Sequence, residues 1–306
     1  MTSAAMTAPE FRAAGTDLSE RRRSGVSQGP LIDLVAAPDT IGVNWGANGA
    51  ASIGALTSIA AIATDARLNA AYPGIAAAAL GLATPQIRHL ATLGGNLAQR
   101  SRCWYFRDPD ISCLKKGGSD CPARTGNHLY AVAFDLGPCV APHPSTMAAA
   151  LLAYDAIIVT SQRHGLSIGE LLGDGSSATS DHLLAADEMI RSVELPAPLP
   201  DERAFYKRAI SRSHAEWPLA EVCARAVVKD GAFQFVRITA GGIAPVPLRL
   251  SACEAALQGK NATAATIAEA ARQAASGASP LPMTGYKLLL LQGVVHDLLE
   301  KLTTSA

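Results

Sequence analysis

No charge of one sign dominates these 306 residues: Lys and Arg together number 26, and so do Asp and Glu. A formal charge of zero supplies no field to draw in nucleic acid or an anionic membrane surface. It fits a chain whose surfaces are partly covered by partners, because a lone soluble protein usually carries some excess charge. No stretch reaches the roughly 18 uninterrupted apolar residues of a spanning helix. The alanine-rich run Ala70–Ala83 is broken by Pro73 and Gly74. The opening MTSAAMTAPEF has neither a basic segment nor an apolar core, so it does not read as a secretory signal. Folding in the cytoplasm is expected, with export of the folded chain on a partner's signal left open. Internal repeats and charged tails are missing too. The first ten residues are small and polar and are expected to fray.

What is present is enough apolar residue, 49% against 17% charged, for a sizeable core. The length fits two or three lobes. PLIDL (Pro30–Leu34) reads as a short buried strand. Ala51–Leu68 opens as a strand and becomes a helix from Thr57, and a second helix follows Pro73. Met147–Thr160 reads as helix, turn and strand. PAPLPDER (Pro196–Arg203) is the best linker, with three prolines in eight residues. Beyond it, Ala220–Val228 and Phe235–Ala244 alternate like paired strands. Helices are expected over Thr263–Ala275 and Tyr286–Leu302. In the last, Leu288, Leu291, Val295, Leu298 and Leu302 form one core-facing stripe.

Residues Arg102–His143 differ in kind, with four Cys and little periodicity. A loop of that length in a compact domain needs an organiser, and a metal centre would serve. Cys103, Cys113, Cys121 and Cys139 are separated by nine, seven and seventeen residues. Four thiolates complete the shell of a [4Fe–4S] cluster or a tetrahedral zinc. The C-x-x-C knuckles typical of structural zinc are absent, and the loose spacing suits a cluster better. Arg102, Arg107, Lys115, Lys116 and Arg124 could offset the charge of a thiolate-bound cluster, or form a solvated basic loop. Cys223 and Cys253 stand alone in apolar segments and read as small buried hydrophobes.

Two glycine motifs suggest a ligand. AAGTDL (Ala13–Leu18) lets the backbone turn tightly and present N–H groups to phosphate oxygens, although an ordinary turn and helix cap has the same pattern. ATLGGNLAQ (Ala91–Gln99) allows close backbone approach, as would a plain Gly-Gly turn. FYKRAISR (Phe205–Arg212) offers Lys207 to a flavin or phosphate, or simply to solvent.

Taken in order, these segments resemble the FAD-binding medium subunit of the xanthine dehydrogenase family. AAGTDL looks like that family's first flavin loop and ATLGGN (Ala91–Asn96) like its second. HPSTMAAALLAYDA (His143–Ala156), GGIAPVPLR (Gly241–Arg249) and TGYKLLLLQ (Thr284–Gln292) match the helix that follows and the C-terminal domain. The cysteine loop looks most like the [4Fe–4S] insert of aldehyde oxidoreductases.

The resemblance implies an α+β fold: a two-lobed, vanillyl-alcohol-oxidase-like FAD-binding domain over residues 1–198, holding an iron–sulfur loop at 100–143. A small α/β C-terminal domain would follow over 202–303. It implies FAD held by Glu10, Phe11, Arg12, Ala13, Ala14, Gly15, Thr16, Asp17 and Leu18, mainly through backbone N–H groups. Thr92, Gly94, Gly95 and Asn96 would hold its second side, with Ile190 and Lys207 as further contacts. Cys103, Cys113, Cys121 and Cys139 would ligate the cluster. A large partner would carry molybdopterin and a small one two [2Fe–2S] clusters. Electrons would pass through those to FAD and an external acceptor, with no residue of this chain acting as acid, base or nucleophile. Three departures stand out. Only ten residues precede Phe11, fewer than the family's usual strand and helix. Ala14 and Thr146 occupy positions where relatives usually have Gly and often Asp. A stand-alone vanillyl-alcohol-type FAD oxidase and a non-redox, zinc-bearing scaffold are the alternatives.

Overall fold

Two short strands, β1 (Glu10–Arg12) and β2 (Leu31–Asp33), lie parallel, and the helix α1 (Leu18–Arg23) connects them. The computed structural model describes residues 8–304. The frayed start expected for the first ten residues therefore falls, for residues 1–7, outside this range. The PLIDL strand forms, but Leu31 and Ile32 are 37% and 43% exposed rather than buried. A two-stranded ribbon has no second layer to bury them against.

The next strands, β3 (Val43–Trp45) and β4 (Ala51–Gly54), belong to a second sheet. The helix expected after Thr57 splits in two: α2 (Ile59–Thr64) and α3 (Ala66–Ala71). Asp65 causes the break, because its backbone is extended and its carboxylate caps the Leu68 N–H at 2.8 Å. Pro73 then starts α4 (Pro73–Gly81), where a missing N–H costs nothing. Two short helices follow, α5 (Pro85–Leu90) and α6 (Leu93–Leu97).

The cysteine loop holds one helical turn, α7 (Trp104–Arg107), and two 3₁₀ turns. It has its own apolar nucleus of Ala123, Ala131, Val132 and Val140. After it come α8 (Thr146–Ala153), β5 (Ile157–Thr160), β6 (Leu166–Ser167), α9 (Ile168–Leu172) and β7 (Ile190–Leu195). The second sheet runs β3-β4-β7-β5-β6 with antiparallel neighbours. Ile53, Ile158 and Val193 bury its inner face against Ile59, Ile75, Leu97 and Leu151 of the helices.

The third sheet follows the prolines. It consists of β8 (Glu202–Ala209), β9 (Ala220–Lys229), β10 (Ala232–Gly241) and β11 (Leu248–Arg249), ordered β11-β10-β9-β8 and antiparallel throughout. Three helices cover it: α10 (Ser251–Leu257), α11 (Ala264–Gln273) and α12 (Tyr286–Thr304). The expected α12 stripe packs inward through Leu291, Val295, Leu298 and Leu302, with Leu288 half-buried. Both lone cysteines are buried, as their surroundings predict. Gly74 of α4 makes room for one of them: a Cβ there would lie 2.8 Å from the Cys223 sulfur.

One helix joins the two halves. Thr239 of β10 donates to the Ala149 carbonyl of α8 at 2.6 Å, and Arg225 of β9 to Ala153 at 3.1 Å. At the N-terminal end of α8, Thr146 and Tyr206 both donate to the buried Glu221 carboxyl, at 2.9 and 2.6 Å. The result is a mixed helix-and-sheet domain followed by a smaller C-terminal domain built on the third sheet. Among the described residues, no helix is long and apolar enough to cross a membrane.

Candidate cofactor cleft and cysteine pocket

The two glycine motifs meet across one cleft of about 340 Å³. Thr16 and Asp17 of the first motif line one side, and Gly95 and Asn96 of the second line another. Arg208, Glu216, Trp217 and Pro218 close it from the C-terminal domain. The walls mix cations (Arg23, Arg102, Arg208) and carboxylates (Asp17, Glu20, Glu216) with apolar groups (Leu82, Ile87, Trp217). That mixture suits a ligand with a phosphorylated and an aromatic part.

In the first motif the left-handed residue is Gly15, at φ +72°. A side chain there would be strained, and its Cβ would lie 2.8 Å from the Ser19 hydroxyl. Ala14, the departure from the family pattern, is exposed with ordinary backbone, so its methyl group is tolerated. Phe11 and Ala13 are half-buried, and Leu18 is in the core. Three charged residues in or just before the motif are engaged with protein rather than open. Glu10 accepts from Arg21, Arg22 and Ser27. Arg12 donates to Asp33 across the ribbon at 2.5 and 2.8 Å. Asp17 accepts from Arg107 at 2.6 Å, from Arg21 at 3.1 Å and from the Arg100 N–H at 3.1 Å. Burial pushes the Asp17 carboxyl up, but Arg102 and Arg107 outweigh it and hold it below its ordinary range.

The second motif is a capped helical turn. Thr92 caps α6 by accepting the Gly95 N–H at 3.2 Å. Gly94 lies against the turn that follows β4: its N–H donates to the Ala55 carbonyl at 2.8 Å, and a Cβ would meet that of Ala55 at 2.9 Å. Gly95 instead faces the cleft. Asn96 uses its side-chain oxygen to accept from Ser145 at 2.7 Å, pinning this turn to the start of α8.

Of the expected contacts, Thr16, Asp17, Gly95 and Asn96 line the cleft, whereas Glu10, Phe11, Arg12, Ala13, Ala14, Gly15, Leu18, Thr92, Gly94, Ile190 and Lys207 do not. Lys207 pairs with Asp297 on α12. Strand alternation turns its neighbour Arg208 to the cleft instead, the residue that period-two reading of FYKRAISR could have selected. Ile190 is buried in the core of the second sheet. Thr146 lines the cleft but gives its proton to Glu221. Leu82, Thr84, Glu216 and Trp217 also line it and carry no sequence motif, and Gln99 lines it from the end of the second motif.

The four loop cysteines are electrostatic neighbours. Cys103 feels Cys121 and Cys113, and Cys121 shares a hydrogen bond with Cys139. That bond holds the Cys121 thiol down and pushes the Cys139 thiol up, whereas burial raises Cys103. Backbone N–H groups converge on the sulfurs: those of Tyr105 and Phe106 on Cys103, of Ala123, Arg124 and Val140 on Cys121, and of Ala141 on Cys139. Such bonds favour the thiolate that metal binding requires. Lys115 adds positive charge near Cys139 and is itself held by Asp181 at 2.7 Å. Burial pushes the Asp181 carboxyl up, but Lys115 and Arg100 bring it down to about 2.

Arg102 links pocket and cleft. It precedes Cys103, meets Glu20 at 2.5 Å, Asp17 at 3.1 Å and Gln99 at 3.2 Å, and stacks on Trp217 at 4.8 Å.

Comparison with known proteins gives the same assignment from both ends of the chain. Residues 6–198 match the FAD binding domain in molybdopterin dehydrogenase, and residues 204–302 match the CO dehydrogenase flavoprotein C-terminal domain. The aldehyde oxidoreductase FAD-binding subunit PaoB of Escherichia coli (strain K12) is 32% identical over 267 residues, which cover 84% of this chain and 80% of that one. Among solved structures, the carbon monoxide dehydrogenase of Hydrogenophaga pseudoflava superposes with a TM-score of 0.74 at 22% identity, covering 96% of this chain and 89% of that one. The quinoline 2-oxidoreductase of Pseudomonas putida 86 gives 0.74 at 19%, covering 97% and 90%. At those identities the likeness is one of fold. With both family models spanning nearly the whole sequence, the chain belongs to the FAD-binding subunits of the molybdenum hydroxylase family of oxidoreductases.

Proposed function

We propose that this chain is the flavin-bearing electron-transfer subunit of a heterotrimeric molybdenum hydroxylase of the aldehyde oxidoreductase type, with a [4Fe–4S] cluster of its own. The observation that carries the reading is that both glycine motifs line one cleft beside a pocket of four cysteines. FAD and the cluster would supply the electron-transfer chemistry, and the protein binds, orients and insulates them.

The residues present fit FAD. Gly95 lines the cleft without a side chain, Gly15 supplies the left-handed turn that leads into Thr16 and Asp17 at its wall, and Arg23, Arg102 and Arg208 bring positive charge to it. The family contacts assigned to Glu10–Leu18, Thr92, Gly94, Gly95 and Asn96 belong to this reading, with Arg208 added from the third sheet. Ile190 and Lys207 would act only through the elements that they anchor.

The cysteine pocket fits a cluster better than zinc. Zinc–sulfur bonds of about 2.3 Å would put four sulfurs about 3.8 Å apart. Among the described residues the trio of possible ligands that converges within 4.8 Å is His296, Asp297 and Glu300, not any three cysteines. Wider spacing and backbone N–H groups on the sulfurs support Cys103, Cys113, Cys121 and Cys139 as cluster ligands.

A large subunit with molybdopterin and a small subunit with two [2Fe–2S] clusters complete the proposed assembly, which delivers electrons to an external acceptor. Anaerobic purification followed by iron, sulfide, zinc and flavin analysis tests it. About four iron and four sulfide with about one FAD per chain are expected. Zinc without flavin would overturn the redox assignment.

A further inference from the structure

After α9 the chain makes an excursion, Gly173–Leu183, whose two ends return to the same helix. The Gly173 N–H donates to the Gly169 carbonyl and the Leu183 N–H to the Leu171 carbonyl, both at 2.7 Å. Between these bonds, and among the described residues, no backbone-to-backbone hydrogen bond holds residues 174–182. The sequence there, DGSSATSDH, offers no apolar side chain beyond that of Ala178. Gly173 and Gly175, at φ +81° and +86°, supply the left-handed backbone where the excursion leaves the helix. A loop closed at its ends, without backbone pairing and without apolar surface to bury, lies at the low end of local stability.

This strap grips the cysteine loop next to three of its four cysteines. Asp181 accepts from Arg100, which lies just before Cys103, at 2.5 Å, and from the Ser101 N–H at 3.3 Å. Its other oxygen pairs with Lys115, just after Cys113, at 2.7 Å. Lys115 also donates to the Ser180 carbonyl at 3.2 Å, and Arg100 to that of Thr179 at 2.9 Å. Gly137, just before Cys139, comes so close to the strap that a Cβ there would lie 2.6 Å from the Gly175 carbonyl oxygen. Cys113 and Cys139, with strap contacts at Lys115 and Gly137, are the two buried members of the set, at 6% and 8% exposed. Cys103 and Cys121 are half-buried. One carboxylate therefore holds both cations that fasten the strap.

We propose that Gly173–Leu183 is a gate that opens to admit iron and sulfide to the cysteine pocket and then closes over it, with Asp181 as its latch. The inference rests on the proposed cluster. A cluster needs all four sulfurs, and two of them are shut from solvent while the strap is down. Opening breaks the ion pairs of Asp181 and the side-chain bonds to the Thr179 and Ser180 carbonyls. It disturbs neither a sheet nor an apolar core, so the rest of the fold stays intact while the pocket is open.

Iodoacetamide labelling of the full chain, stripped of iron and read cysteine by cysteine with mass spectrometry, tests the gate. Cys223 and Cys253, fully buried in the two domain cores, report global unfolding in the same sample. In a urea series, Cys113 and Cys139 should label through a local opening that depends weakly on urea. Cys223 and Cys253 should follow the steep slope of full unfolding. One common steep slope would overturn the gate, and this series needs no variant. Asp181→Asn keeps the shape of the latch and removes the charge that two cations share. It should speed labelling of Cys113 and Cys139 about tenfold and leave Cys103, Cys121, Cys223 and Cys253 unchanged. Equal acceleration at all four loop cysteines would mean that the whole loop had loosened, and no acceleration would remove Asp181 as latch; either result sinks the proposal. Anaerobic uptake of iron from ferrous salt and sulfide, followed by visible absorbance, should accelerate in the same variant. Faster labelling without faster uptake would show that the strap does not gate loading. No uptake by either form would fail the cluster reading and the gate's purpose with it, while the labelling pattern would still report whether the strap opens.

Discussion

The Asp17 carboxylate and the Arg107 guanidinium, 90 residues apart in sequence, meet at 2.6 Å. Asp17 belongs to the first glycine motif, and Arg107 ends the helical turn that begins after Cys103. Arg102 reaches the same carboxylate from the other side of that cysteine. The segment around a proposed cluster ligand is thus bolted to the loop proposed to hold the flavin pyrophosphate. The bolt is mostly buried, so its charges are little screened.

Asp17→Asn should loosen both sites. It leaves Arg21, Arg102 and Arg107 around a neutral amide, and breaking a buried ion pair from one side costs about 3–5 kcal/mol. Thermal denaturation should begin several degrees lower, and the flavin-to-protein ratio after gel filtration should fall at least twofold. Wild-type values for both would mean that the clamp does not hold the cleft together.

Cys121→Ser removes the sulfur that shares a hydrogen bond with Cys139 and accepts three backbone N–H groups. Iron content and the cluster's visible absorbance should be lost. Flavin retention should drop with them, because Arg102 and Arg107 transmit loop disorder to Asp17. Full iron in this variant would remove Cys121 from the ligand set.

Gly94→Val should strip flavin and leave iron bound, although the cause lies behind the cleft. The added side chain collides with Ala55, the residue that follows β4, whose carbonyl also accepts the Gly94 N–H. The α6 turn must move, carrying Gly95 and Asn96 with it. Overpacking of this kind costs about 1–3 kcal/mol. Normal flavin content, measured by release and fluorescence, would show that α6 tolerates the shift.

Acid should destabilise the fold in two steps. Burial brings both His143 and His182 down to about 4, from an ordinary 6.5. Between these values the unfolded chain binds protons that the folded chain refuses, so stability falls as pH drops from 6.5 to 4. A tenfold difference in proton affinity between the two states is worth about 1.4 kcal/mol. Asp181, held at about 2, adds a second loss as pH falls from 3.8 through 2. Urea midpoints at a series of pH values check this, and a flat profile between pH 6.5 and 4 would contradict the buried histidines.

Local pattern made much of this architecture readable. The α12 stripe, the paired strands β9 and β10 and the proline start of α4 rest on periodicity and on single residues with one strong preference. Both glycine motifs lie at the cleft for the same reason. What sequence concealed was direction. Asp17 reads as a phosphate-loop residue, yet it faces arginines supplied more than 80 residues later. Gly94 and Gly95 are adjacent and look equivalent, yet one is packed against Ala55 and the other opens to the cleft. Lys207 and Arg208 differ only in strand parity. The exposure of PLIDL depends on how many strands its sheet has, which no local pattern contains.

The seat of the cysteine loop is made late. Ala133 and Phe134 donate to the Ile243 carbonyl, His143 to that of Ala244, and Met283 and Lys287 reach back to His128 and Tyr130. At about 5–20 residues per second, a ribosome needs roughly 7–30 s to travel from His143 to Lys287. Through that interval the four thiols have been made, but the surface that fixes their loop has not. Loading of the proposed cluster would thereby wait for the end of synthesis, and a chain that stops short of α12 would offer the cell's iron–sulfur machinery no finished loop to fill.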